Sequence, residues 1–236
     1  MSETPSRASA GASPRQPVWR TPTFLAALTA AIAGIAAGVV LTDGAAESGD
    51  LSAYDPAVTA GFVSARSDVG TVVARGFTFF GSTAALLPLT LALVLLFVLR
   101  RRWVAAAVVA AGMSLSLTLT VLLKNSIGRI RPPAVDVLGA LNDGFAFPSG
   151  HTLNGTVFFG LITGLVLTRC HSRTTRIATV AGGVLMALGI GLSRVYLGYH
   201  WLTDVMAGWS LAMGVLGIVM LGRILLDPHR RATTRD

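Results

Sequence analysis

Apolar residues arrive along this chain in long blocks, at about 24–42, 77–99, 103–123, 153–168, 177–197 and 205–226. Several blocks reach the roughly 20 residues that a helix needs to cross a bilayer. In hydrocarbon each backbone N–H and C=O must be bonded within its own segment, which makes the blocks helices. A membrane β-barrel would instead show alternating runs of about ten residues. The predicted architecture is therefore all-α, an integral membrane bundle of six transmembrane helices. The fourth block is short, so its helix is expected to start earlier or to lie where the bundle is thin or tilted. Pro88 is expected to kink the second span.

The segments outside the blocks are of three kinds. Residues 1–23, rich in Ser, Pro, Ala and Arg, have little to bury and read as a disordered cytoplasmic tail. The membrane domain then spans 24–226 and a second cytoplasmic tail covers 227–236. The first block could also be a signal peptide cleaved near Gly44-Ala45-Ala46, but at about 19 residues it exceeds the usual 7–15 of such a core, so a retained anchor is expected. An external segment, 43–76, holds Asp43, Glu47, Asp50, Asp55 and Asp68. Asp55-Pro56 reads there as a helix N-cap and first-turn proline. Val58, Phe62, Ala65, Val69, Val72 and Val73 recur at helical spacing, which fits an interfacial helix. Gly61 and Gly70 weaken that helix, and a connecting loop is the alternative.

Composition supports the bilayer. The chain is 53% hydrophobic and only 13% charged, with a mean hydropathy of +0.67, whereas about a quarter of a soluble domain is charged. A net charge of +8 would suit nucleic acid if it were gathered on one soluble domain, and it is not; no nucleic-acid partner is expected. Instead Arg7, Arg15 and Arg20, then Arg100–Arg102, then Arg169, Arg173 and Arg176, then Arg223, Arg230, Arg231 and Arg235 fall on one side of six alternating spans. That side is cytoplasmic by the positive-inside rule, and with it both termini. The other side keeps Arg66, Arg75, Lys124, Arg129, Arg131 and Arg194, a minority that calls for an explanation. A single cysteine, Cys170, rules out an internal disulfide.

Three clusters on that outer side carry chemistry. Lys124 through Arg131-Pro132 closes the third span, with Pro132-Pro133 expected to end the helix and hold Arg131 on a stiff turn; snorkelling to lipid phosphates is the plainer alternative. Phe147-Pro148-Ser149-Gly150-His151 opens the fourth span. A Pro-Ser-Gly turn at a helix start leaves backbone N–H groups unpaired beside the positive end of the dipole, an anion cradle, or else a simple Ser-capped start. The third cluster is Ser193-Arg194, then His200 and Asp204 four residues apart, on one helix face if the sixth helix begins near His200. A carboxylate so placed accepts the imidazole Nδ1–H and frees Nε2 to attack; a structural pair or proton relay is the alternative.

Together Lys-x6-Arg-Pro, Pro-Ser-Gly-His and Ser-Arg-x5-His-x3-Asp are similar to the signature of the type 2 phosphatidic acid phosphatase superfamily. The resemblance covers 124–204 in its motifs and, with the six helices, nearly the whole chain. It implies His200 as nucleophile forming a phosphohistidine, Asp204 as its orienting partner, and His151 as the acid that protonates the departing oxygen and later activates water. Lys124, Arg131, Arg194, Ser149 and the Gly150 N–H would neutralise the phosphoryl oxygens. No carboxylate cluster suggests a metal, so neither metal nor other cofactor is expected. The implied activity is hydrolysis of a lipid phosphate, phosphatidic acid or a related glycerolipid phosphate, at the outer leaflet, with a polyprenyl diphosphate as the second choice. A non-catalytic anion binder or transporter, and a vanadium haloperoxidase, are the rival classes. His171 and His229 read as solvated or headgroup-facing, Trp19, Trp103 and Trp201 as interfacial anchors, and Tyr196 and Tyr199 as anchors or headgroup contacts. Gly34-x3-Gly38 and Gly160-x3-Gly164 permit close helix packing without establishing a dimer.

Overall fold

The computed structural model describes residues 17–46, 51–141 and 143–226; the tail expected over 1–23 falls outside these up to residue 16, and the tail 227–236 falls outside them entirely. The described residues form eight α-helices: α1 Pro22–Ala46, α2 Asp55–Ser64, α3 Asp68–Gly81, α4 Thr83–Leu99, α5 Trp103–Ile127, α6 Gly150–Leu167, α7 Arg173–Tyr196 and α8 Leu202–Leu226. Helices α1, α5, α6, α7 and α8 are each long and apolar enough to span a membrane, and α3 with α4 makes a sixth span when the bent pair is counted as one.

Three local expectations need correction. The second span bends by 46°, but between α3 and α4. The residue responsible is Ser82, six positions before Pro88: its extended backbone (ψ 152°) ends α3, and its hydroxyl accepts from the Ala85 N–H as the N-cap of α4. Helix α5 is stopped by Gly128, in the left-handed region at φ 65°, and not by the proline pair. Over 43–76 the described residues are neither one helix nor a loop. They end α1 at Ala46 and then form α2 and the start of α3, separated where Ser67 turns extended and caps Gly70 N–H at 3.1 Å. The short fourth block does start early, at Gly150, giving α6 18 residues.

Small residues set the tightest helix pair. A Cβ on Gly34 of α1 would lie 2.4 Å from the Gly214 backbone nitrogen of α8, and one on Gly217 would lie 2.5 Å from Ala31 nitrogen. The backbones of α1 and α8 therefore touch, and the Gly34-x3-Gly38 stripe is spent inside the chain. A core of Leu153, Val157 and Leu161 from α6 with Leu211, Ala212 and Val215 from α8 fills the middle. Val39, Leu91, Leu99, Ile177 and Leu185 remain exposed on the outside of the bundle, as a lipid-facing surface requires. The C-terminal ends of α5 and α7 and the N-terminal ends of α6 and α8 meet at one end of this frame, where the three clusters lie.

Candidate active site

The turn from α7 to α8 delivers the first component. Gly198 sits at φ 79°, and a Cβ there would fall 2.0 Å from Asp136 O, so only glycine closes this turn. The turn places His200 two residues before α8, slightly ahead of the helix start that the i,i+4 reading assumed, yet the contact forms: His200 Nδ1 lies 3.3 Å from Asp204 Oδ2. The carboxylate can only accept here, so the proton belongs on Nδ1 and the lone pair on Nε2. Both residues are buried. The Trp201 N–H donates to the same carboxylate oxygen at 2.9 Å.

Cations surround the pair. Arg131 NH1 is 3.4 Å from His200 Nε2 and donates to Tyr199 O at 2.8 Å, while its Nε donates to Gly144 O and its NH2 to Phe145 O. Lys124 Nζ donates to the same Phe145 carbonyl. Arg194 is buried, stacks over the Tyr199 ring at 4.1 Å and donates through NH1 to Thr78 Oγ1 at 2.7 Å. Its Nε and NH2 are buried without a hydrogen-bond partner among the described residues. Unpaired charged donors are expensive in a protein interior unless an acceptor arrives.

Burial, and then the positive charges of Arg194, Arg131 and Lys124, hold the His200 imidazole well below its ordinary pKa. The ring is thus neutral at neutral pH, the form that has a lone pair to give. Burial also lowers the Arg131 pKa.

The remaining predicted residues come from the start of α6. Ser149 is its N-cap, fully buried, with its own N–H donating to Asp204 O at 3.1 Å. Its hydroxyl makes no capping bond; it accepts from Thr152 Oγ1 at 2.9 Å. Gly150 begins the helix, and His151 follows within electrostatic reach of Arg194, His200, Lys124 and Arg131. A Cβ on Gly81 would contact His151, so the bend at Ser82 brings the end of α3 against this residue. All eight sequence-predicted residues share one end of the bundle.

The structure adds a component that the motifs did not disclose. Asp204 Oδ1 pairs with Arg129 NH1 at 2.7 Å, and Arg129 NH2 pairs in turn with Asp55 Oδ2 at 2.8 Å. Thr203 ties the two ends together, its N–H donating to Asp55 Oδ1 and its hydroxyl to Asp55 Oδ2. Asp55, expected as the N-cap, is instead the first residue of α2, makes no capping bond, and is buried. Arg129 therefore neutralises Asp204 and anchors α2 over the turn that carries His200. Arg66 is also accounted for: it donates to Tyr196 O at the end of α7 and to Asp136 O. Tyr199 belongs to the site through Arg194, whereas the Tyr196 hydroxyl accepts from the Ser67 N–H and so fastens α3.

Removing one member of a buried ion network leaves its partners charged and unpaired, at about 3–5 kcal/mol. Arg129→Gln is expected to cut kcat by about 100-fold and lower the melting temperature, with KM little changed, because Asp204 loses its place. Asp55→Asn keeps the Arg129–Asp204 pair and is expected to cost less on both counts. Steady-state kinetics and thermal unfolding in detergent check this; unchanged kcat in Arg129→Gln would deny the network any part in positioning.

A helical membrane bundle that gathers three cations and two histidines around a buried carboxylate defines a phosphoryl-handling membrane protein. Comparison with known proteins assigns the family: the PAP2 superfamily model matches residues 104–224, and the chain belongs to that superfamily. Phosphatidylglycerophosphatase B of Bacillus subtilis (strain 168) is 30% identical over 162 residues, covering 67% of this chain and 78% of that protein. The crystal structure of a transmembrane PAP2-type phosphatidylglycerolphosphate phosphatase from Bacillus subtilis superposes with a TM-score of 0.76, covering 85% of this chain and 98% of that one at 24% identity. LpxE of Aquifex aeolicus gives 0.56 at 24% identity, covering 71% and 94%. The chain is a membrane phosphatase.

Proposed function

We propose that this phosphatase hydrolyses the phosphate monoester of a glycerolipid, phosphatidylglycerol phosphate or phosphatidic acid, at the outer leaflet and without a metal. The observation that carries the reading is the buried His200–Asp204 pair beside Arg131 and Arg194, with two Arg194 nitrogens lacking an acceptor. A phosphoryl group supplies the oxygens those donors lack. His200 Nε2 attacks phosphorus in line, and the bond to the lipid oxygen breaks as that oxygen takes a proton from His151, which picks up that proton when the bound phosphoryl anion offsets the surrounding cations. Water then gives its proton to His151 and attacks the phosphohistidine, releasing phosphate. Lys124, Arg131, Arg194, Ser149 and the Gly150 N–H hold the equatorial oxygens through both steps. In this reading Lys124, Arg131 and Arg194 neutralise the phosphoryl charge. The Bacillus relative's name points toward a glycerolipid phosphate, and the position of the site at a bundle end lets the acyl chains stay in lipid.

Purified protein is expected to release phosphate from phosphatidylglycerol phosphate and phosphatidic acid in EDTA, with slower release from undecaprenyl diphosphate. Orthovanadate should inhibit, because it becomes five-coordinate on His200 like the transferring group. Loss of activity with chelator, restored by magnesium, would refute the metal-free chemistry. Fastest release from undecaprenyl diphosphate would move the substrate to the polyprenyl carriers.

Sidedness rests on the arginine pattern. In a Cys170→Ser background, a cysteine at Asp143 is expected to react with an impermeant maleimide in intact cells, and one at Arg101 only after permeabilisation. The reverse pattern would place the site on the cytoplasmic face.

A further inference from the structure

We propose that the end of the bundle opposite His200 holds a second lipid site, which binds an anionic phospholipid by headgroup and acyl chain and hydrolyses nothing. Arg101 and Arg102 before α5, Arg169 after α6 and Arg223 near the end of α8 line one cavity of about 340 Å³ together with Trp103. The distance from Arg102 to Lys124 is 22 residues along α5, roughly 33 Å at 1.5 Å per residue, so this cavity and the catalytic end cannot share a ligand headgroup.

Several observations separate this cavity from an ordinary fringe of cytoplasmic arginines. None of the four guanidiniums takes a carboxylate or carbonyl partner among the described residues, whereas nearby Arg176 bonds two carbonyls. Arg101 also occupies a left-handed position, φ 54°, as the residue that closes α4, with its N–H bonded to Val98 O and that of Arg102 to Phe97 O. Glycine fits such a closing position without strain, so an arginine held there places a charge at a cost in stability.

The cavity also continues into hydrocarbon. A second cavity, of about 120 Å³, shares Leu165 and Arg223 with the first and runs between α5, α6 and α8 along Val108, Gly160, Gly164, Leu216, Val219 and Met220. Gly164 leaves it open: a Cβ built there meets nothing within 4 Å. A four-arginine mouth joined to an apolar groove matches a phosphodiester headgroup with its acyl chain, and basic pockets between transmembrane helices bind such headgroups. Free phosphate would leave the groove unfilled. Under the orientation proposed above, this lipid comes from the cytoplasmic leaflet, and its binding does not depend on the catalytic reading.

The test is native mass spectrometry of the full chain in micelles doped with phosphatidylglycerol or phosphatidylcholine. Phosphatidylglycerol carries no monoester for the catalytic site to cleave. One phosphatidylglycerol is expected to bind at least tenfold more tightly than phosphatidylcholine. Arg169→Gln/Arg223→Gln should remove most of that preference, about tenfold. Gly164→Leu, which fills the groove, should weaken both lipids while both variants keep phosphate release by the outer site. Retention of the preference in the double-arginine variant would overturn the proposal. So would displacement of the lipid by vanadate, which would place it at the catalytic end, or inorganic phosphate binding here as well as phosphatidylglycerol does.

Discussion

Replacing His200 with alanine is expected to abolish phosphate release from every substrate, alkyl or aryl, diphosphate or monophosphate. In the proposed mechanism both chemical steps pass through this ring: Nε2 makes the bond to phosphorus and later surrenders it to water. Its surroundings serve that single atom. Asp204 accepts the Nδ1 proton, and burial with three neighbouring cations keeps the ring unprotonated. Once phosphorus is bound, the imidazolium-like charge is offset by Asp204, itself held by Arg129. Bound phosphate should persist in the variant, because the Arg131 and Arg194 donors remain. Unimpaired vanadate-sensitive turnover in His200→Ala would move the nucleophile elsewhere.

The second large effect separates the histidines by leaving group. His151 is assigned the proton that goes to the departing oxygen, and its value rises with that oxygen's basicity. A diacylglycerol alkoxide is very basic and needs the proton; a nitrophenolate leaves readily without it; a lipid monophosphate leaving from a diphosphate is intermediate. His151→Ala should therefore lose about 10²–10⁴-fold on phosphatidic acid, less on a diphosphate and least on nitrophenyl phosphate. Steady-state turnover would mask this order, since the proposed mechanism also gives His151 the activation of water. A single-turnover burst of leaving group exposes it, and an equal burst defect on alkyl and aryl substrates would remove His151 from the acid role.

Much of this molecule is legible in its sequence, for physical reasons. Spans are visible because hydrocarbon tolerates only long apolar helices, and the short fourth block correctly pointed to an earlier start at Gly150. The eight residues proposed for the site stand out in sequence because the proposed chemistry calls for their types and local turns set their spacing, and the fold brings them to one end of the bundle. What stayed hidden depends on contacts across the chain. Asp55 looks like any helix cap, and only the fold brings it to an arginine 74 residues away. The signals available were an arginine at 129 without an assignment and, far from it in sequence, an acidic residue at 55 in no motif. The bend at Ser82 was masked by the nearer rule about Pro88. A serine that caps one helix and ends another looks like any other serine in sequence.

Trapping the phosphoenzyme addresses the central claim most directly. The protein is mixed with ³²P-labelled phosphatidic acid, quenched in alkali within one turnover to preserve phosphohistidine, and digested for peptide mapping. Label is predicted at up to one phosphate per chain on the peptide bearing His200, forming before inorganic phosphate appears. In His151→Ala, label should build up more slowly and also discharge more slowly. Inorganic phosphate appearing at the full single-turnover rate with no label on any peptide, or label that survives intact in His200→Ala, would contradict a covalent mechanism through this histidine.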